Sequence, residues 1–302
     1  MDTNAMNTDT NLRQSDHKVN VEGIVSEVAL IKNDPNRDPK NVTPGVDNIS
    51  GTVTVKTDET NFIRFMVNVN SKTKAGTDNK TYAGIETVMN EYKSIAQFGE
   101  EEADKVRITN GDINLFTSKT DGSPQVGYKA NFFNRVKGEY NPHAEFEVEM
   151  YISNIFPEMD KDDDETGRLI VKGWVVTYNG IETITLIAPK DLASAVESTY
   201  EVGQTTKFYG DIINSRVEKI TEIPMAIGKP KQKVETTYKN ELIITGAEEP
   251  YDEERAYKAD SIKLAIQERE NAKAAKAAEA DKNSLPFKDT PSGASKGRTL
   301  NW

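Results

Sequence analysis

Apolar and polar residues alternate through most of this chain, the period of a strand with one buried face. Val19, Val21, Gly23 and Val25 alternate with Asn20, Glu22, Ile24 and Ser26. After a loop rich in Asn, Asp, Pro and Gly, Val53 and Val55 alternate with Thr52, Thr54 and Lys56. Thr57 to Thr60 reads as a hairpin turn. Beyond it, Ile63, Phe65, Val67 and Val69 are expected inward, and Phe62, Arg64, Met66 and Asn68 outward. Between Tyr82 and Phe98 the period changes: Ile85, Val88, Met89, Tyr92 and Ile95 fall at helical spacing, and Gly99 is a stop signal. Two more strands follow. Val106 and Ile108 alternate with Lys105, Arg107 and Thr109; Tyr128, Ala130, Phe132 and Val136 alternate with Lys129, Asn131, Phe133 and Arg135.

A helix between the third and fourth of five antiparallel strands is the plan of an OB-fold barrel. The second half repeats that plan. Strands are expected in EFEVEMYISNI, RLIVKGWVVTY and IETITLIA, the last two joined by Asn179-Gly180; a short helix, KDLASAVESTY, and strands TTKFYGDIINS and TYKNELIITGA follow. ITNGDIN is echoed by FYGDIIN and GYKANFF by TYKNELI, in the same fourth and fifth strand slots. The expected fold is mainly β: two tandem OB-like five-stranded barrels and a C-terminal tail. The expected divisions are a disordered leader over 1–18, a first barrel over 19–140, a second over 141–247, and a helical then disordered tail over 248–302.

Composition narrows the chemistry. The chain of 302 residues has no cysteine, which excludes disulfides, thiolate metal sites and cysteine nucleophiles. This fits a reducing cytoplasm, and no apolar run approaches the length of a membrane span. The net charge of −11 argues against nucleic acid until it is divided along the chain. Residues 19–140 hold 15 Lys and Arg against 17 Asp and Glu, a net of −2; residues 141–246 hold 11 against 18, a net of −7. A basic face on the first block would therefore not be swamped.

Catalytic and cofactor motifs do not emerge. There is no phosphate loop and no dinucleotide fingerprint. His17 and His143 lie in the expected leader and linker, and no cofactor or metal is expected. Asp160, Asp162, Asp164 and Gly167 resemble a calcium loop, but Glu165 and Val171 stand where such a loop needs its turn glycine and its last glutamate. A solvated hairpin turn is the expectation there.

Strand parity instead gathers an outward set on the first barrel: Lys56, Phe62, Arg64, Lys105, Arg107, Lys129, Phe133 and Arg135. Cations hold phosphates and aromatic faces stack on unpaired bases, so the set fits a single-stranded nucleic acid. An ordinary solvated sheet face is the competing account. Lys172, Trp174, Tyr178, Lys207 and Tyr209 occupy the corresponding outward positions of the second barrel, where Trp174 could instead plug the join between barrels.

The lines VRITNGDINL…GYKANFFNRV and TGRLIVKGWVVTYNG…GQTTKFYGDIIN resemble the tandem OB-fold single-stranded DNA-binding proteins of tailed bacteriophages, over about residues 19–246. The resemblance implies non-catalytic coating of single-stranded DNA in replication or recombination, with a tail that recruits partner proteins. Leu285-Pro286-Phe287 looks like the partner-binding tip of bacterial relatives, and Trp302 is a second isolated apolar residue. Here the chain runs on past Phe287 in a net-basic stretch, a departure from that pattern. A β-rich virion component and an RNA-binding OB module are the alternatives.

Overall fold

A computed structural model describes residues 12–118, 122–223 and 231–283, with the backbone alone given for 216–223, 231–237 and 276–283. The first barrel contains β1 (His17–Lys32), β2 (Asn48–Lys56), β3 (Phe62–Asn70), α1 (Lys80–Glu91), α2 (Ile95–Phe98), β4 (Lys105–Thr117), β5 (Pro124–Lys129) and the short β6 (Asn134–Arg135). Strand β1 pairs with β2, β2 with β3, β3 in parallel with β5, and β5 with β4, which returns to β1 and closes the ring. The second barrel repeats this with β7 (His143–Met159), β8 (Glu165–Thr177), β9 (Gly180–Ala188), α3 (Lys190–Thr199), β10 (Thr205–Ile223) and β11 (Lys231–Ala247). Its ring runs β7–β8–β9–β11–β10 and back to β7, again with one parallel pair, β9 with β11. The fold is thus mainly β and OB-like in both rings.

The inward sets are as parity demands: Val53, Val55, Ile63, Phe65, Val67, Val106 and Ile108 are all buried. The expected single helix over 82–98 is broken in two. Tyr92 leaves α1 with extended backbone, and Asp104 holds the break by accepting from the Lys93 N–H at 2.8 Å. A larger departure follows β5. The strand ends at Lys129, so parity does not carry through to 136. Phe133 is buried and meets Phe65 edge-on at 5.9 Å, whereas Phe132 is 61% exposed.

The barrels share one sheet. The first half of β1, His17 to Glu22, pairs antiparallel with Val148 to His143 of β7. A second tie is Asn61, at the β2–β3 turn. Its Nδ2 donates to the Ile212 carbonyl at 2.9 Å and to Thr57 Oγ1 at 3.0 Å, and its Oδ1 accepts from the Asn214 N–H at 2.6 Å. Beyond this point β10 and β11 continue as a two-stranded arm.

The Ala- and Glu-rich region forms α4 (Ala259–Asn283). Its stripe is thin but it is used: Tyr257, Ile262 and Ala265 are buried against Val176 and Ile181, with Trp174 packed at the margin. The chain approaching α4 is pinned too, by the Tyr251 N–H on the Thr205 carbonyl and the Tyr257 N–H on Thr205 Oγ1. From the segment expected as leader, Arg13 pairs with the buried Glu149, and Ser15 bonds the Tyr257 hydroxyl at 2.8 Å. Among the described residues no helix is long and apolar enough to cross a membrane.

Because Ile262 is 1% exposed, Ile262→Ala should lower the free energy of unfolding in urea by about 2–5 kcal/mol, the usual range for a buried aliphatic truncation. A loss below about 0.5 kcal/mol, typical of surface positions, would mean that α4 is not part of the folded unit.

Candidate nucleic-acid interface

On the outer side of the first barrel, ladder register aligns side chains in rows. Phe62 lies opposite Lys56; Arg64 lies opposite Thr54, which lies opposite Glu27; Met66 lies opposite Thr52 and, across the parallel pair, opposite Lys129. Gly127 leaves a gap in β5 that Met66 and Phe116 approach from either side. A Cβ there would sit 3.1 Å from Met66 Cε and 3.3 Å from a Phe116 ring carbon. The face therefore reads Phe62, Arg64, Met66, Lys129 and Phe116, with aromatic and cationic groups interleaved. Arg64 and Lys129 are exposed and have no ion-pair partner among the described residues. Asp112, opposite Lys129, is itself paired with Lys18 at 2.5 Å.

Part of this face opens into a cleft of about 600 Å³ lined by Glu27, Thr54, Phe62, Arg64, Asn214, Ser215 and Tyr238. The floor comes from the first barrel and the far wall from the base of the β10–β11 arm, fixed there by Asn61.

Three of the other expected cations on the first barrel are committed elsewhere. Lys56 pairs with Glu100 at 2.7 Å. Arg135 pairs with Asp104 at 2.9 Å, donates to the Glu91 carbonyl and stacks 4.2 Å from the Tyr92 ring centre. Arg107 pairs with Glu22, which is only 1% exposed. These anions come from β1 and from the loop before β4, not from the strands that carry the three cations. Of the outward cations, Lys56, Arg107 and Arg135 are therefore ion-paired, which leaves no unbroken cationic track through Arg64 and Lys129. Lys105 remains exposed, its ammonium 4.5 Å from the Tyr140 ring centre. Phe133, expected as a stacking platform, is in the core.

In the second barrel the outward face of β8 is covered in part. Trp174 lies under α4, 5.6 Å from the Arg269 guanidinium. It is half-buried and packs at the margin of the cluster that seats the helix. Lys207 is buried and paired with Asp16 at 2.7 Å, and the Tyr209 hydroxyl donates to Glu248 at 2.7 Å. Lys172 is exposed over the Phe156 ring, and Tyr178 stands 71% exposed at the β8–β9 turn. Leu285, Pro286, Phe287 and Trp302 lie outside the described residues. Phe116 and Asn214 were missed by the sequence reading. Parity would have found Phe116, since Ile113 and Leu115 face inward; nothing in the local pattern marks Asn214.

The Glu22 pair sets a pH dependence. Burial pushes its carboxyl up, but the Arg107 guanidinium and the Asn141 N–H outweigh burial and hold it below the ordinary carboxylate range. A depressed carboxyl contributes stability above its unfolded value, and that contribution is lost as pH falls through its folded value. In Arg107→Ala, burial would face less opposition and the carboxyl would rise. The variant should melt below the parent at neutral pH, and the gap should narrow on acidification through about pH 4. A pH-independent gap in thermal melts would reject this account.

Comparison with known proteins places these features in context. No curated protein sequence matches the chain. Among solved structures, the wild-type single-stranded DNA-binding protein of Thermus aquaticus is similar with a TM-score of 0.45 and 9% identity, over 80% of this chain and 95% of that one. A deletion variant of the same protein gives 0.42 and 11%, over 80% and 97%. The YorF family model matches residues 16–282, from the first residues before β1 almost to the end of α4, and the chain belongs to the YorF family.

Proposed function

We propose that this protein binds single-stranded DNA without catalysis, protecting it in replication or recombination, and that the outer face of β2, β3 and β5 is the contact surface. The observation that carries the reading is the pairing of two uncommitted cations, Arg64 and Lys129, with the half-buried Phe62 and Met66 on one open sheet face. Phosphates require cations that are not already neutralised, and bases require flat apolar partners within a nucleotide's reach. The adjoining cleft, of about 600 Å³, is bounded by the arm on one side. The net negative charge of the chain favours a local contact over general attraction to polyanions. Lys105, Lys172 and Tyr178 are available as outlying contacts. Lys56, Arg107, Arg135, Lys207 and Tyr209 hold the fold, and the reading gives them no direct role. Residues 19–140 and 141–247 are in this reading the two barrels, and Leu285, Pro286, Phe287 and Trp302 serve as partner contacts.

Labelled oligo-dT anisotropy at several salt concentrations separates the two kinds of contact. Arg64→Ala and Lys129→Ala should each reduce the salt slope by about 0.7, the value for one phosphate on a single strand. Phe62→Ala should cost about 1–3 kcal/mol of binding with little change in slope. Arg107→Ala should leave the slope unchanged under conditions where it is folded. If the parent binds oligo-dT no better than duplex, the reading falls.

A further inference from the structure

The cleft over Phe62 and Arg64 is not the only hollow between the barrels. A second, of about 300 Å³, lies where β5 of the first barrel approaches β9, β10 and β11 of the second. Asn214 lines both. Its backbone N–H is held by Asn61, so the junction between the hollows is a fixed point of the structure.

The two spaces differ in chemistry. The cleft has a cation and an aromatic ring. The second chamber presents Gln125, Thr183, Thr185, Asn214 and Asn240, all neutral hydrogen-bonding groups, over an apolar floor. Its one charged residue, Glu241, is already neutralised by Arg168 at 3.0 Å and Lys239 at 3.1 Å. Among the described residues no cation lines it, so a phosphate has no counter-charge there. A flat, uncharged group with donors and acceptors at its rim fits such a lining, as unstacked bases do when amide and hydroxyl side chains meet their edges.

We infer that the DNA strand crossing the Phe62–Arg64 cleft continues past Asn214 and places a base in the chamber between the barrels. The inference rests on the single-stranded DNA reading and deepens it: the first hollow holds the backbone and stacks bases, and the second reads the edge of one. The chamber is small, at the lower limit of ligand sites in general, which matches a single base and not a stretch of strand.

The test compares a short oligo-dT, long enough only for the cleft, with a longer one that reaches the chamber, both with the full chain. Thr185 is exposed, so Thr185→Trp should fill the chamber without disturbing the core. It should weaken the longer oligonucleotide by about tenfold, a 1.4 kcal/mol step, and leave the short one unchanged. Asn240→Ala, also at an exposed position, should act in the same direction with no added bulk, and it decides the matter if the tryptophan variant does not fold. Equal affinities of parent and Asn240→Ala for both lengths, with Thr185→Trp equally silent or unfolded, would overturn the inference while the cleft reading stands. Failure of the parent to bind either oligonucleotide would remove the reading beneath it as well.

Discussion

The first half of β1 is hydrogen-bonded along both edges, to β4 of its own barrel and to β7 of the next. Strand β7 is held in the same way, by β10 and by β1. Each barrel thus gives the other its one loose edge, and neither leaves those backbone groups to water. The cost appears at Glu22. Val19 and Val21 take the core side of β1, so Glu22 takes the outer side, under Asn141 and beside Arg107. A carboxylate there cannot remain unpaired. The seam therefore determines what Arg107 does, and it removes from the binding face a cation that strand parity alone would have put there.

Much of the fold was legible because it rests on a period of two. The inward valines and isoleucines, the Asn179-Gly180 turn and the helix between third and fourth strands all follow from local pattern. The errors arose where a local pattern meets a distant partner. Phe133 was assigned by counting through residues that are not strand; the chain bends after Lys129, and the count loses its meaning. Lys56 and Arg135 were read as free because no carboxylate lies near them on their own strands; Glu100 and Asp104 reach them from the loop before β4. Trp174 alternates correctly, but no strand periodicity announces that a helix some 90 residues later will cover it. The stripe Tyr257, Ile262, Ala265 is too thin to distinguish a docked helix from a solvated one without its receiving surface.

The two barrels share a connectivity but present different outer faces. In the first, β2 and β3 are open and carry Phe62 and Arg64. In the second, the corresponding strands, β8 and β9, are roofed in part by α4, and a cation that might have faced solvent, Arg269, is drawn into a pair with Glu182 at 2.6 Å. Arg269 also reaches Thr117 of the first barrel at 3.4 Å, so the roof leans on both halves. The duplication yields one exposed sheet face and one used for assembly, and the difference in net charge between the two halves runs the same way.

The position of Trp174 has an optical consequence. The chain has two tryptophans, and this one is sandwiched between a sheet and a guanidinium 5.6 Å from its ring. Its emission is governed by whether that roof is seated, because undocking would replace the guanidinium and the apolar wall with water. The emission of Trp174 is therefore a gauge of the docked helix. Thr183, which lines the chamber between the barrels, is the cross-strand partner of Trp174, so a group seated in that chamber would lie beside this reporter.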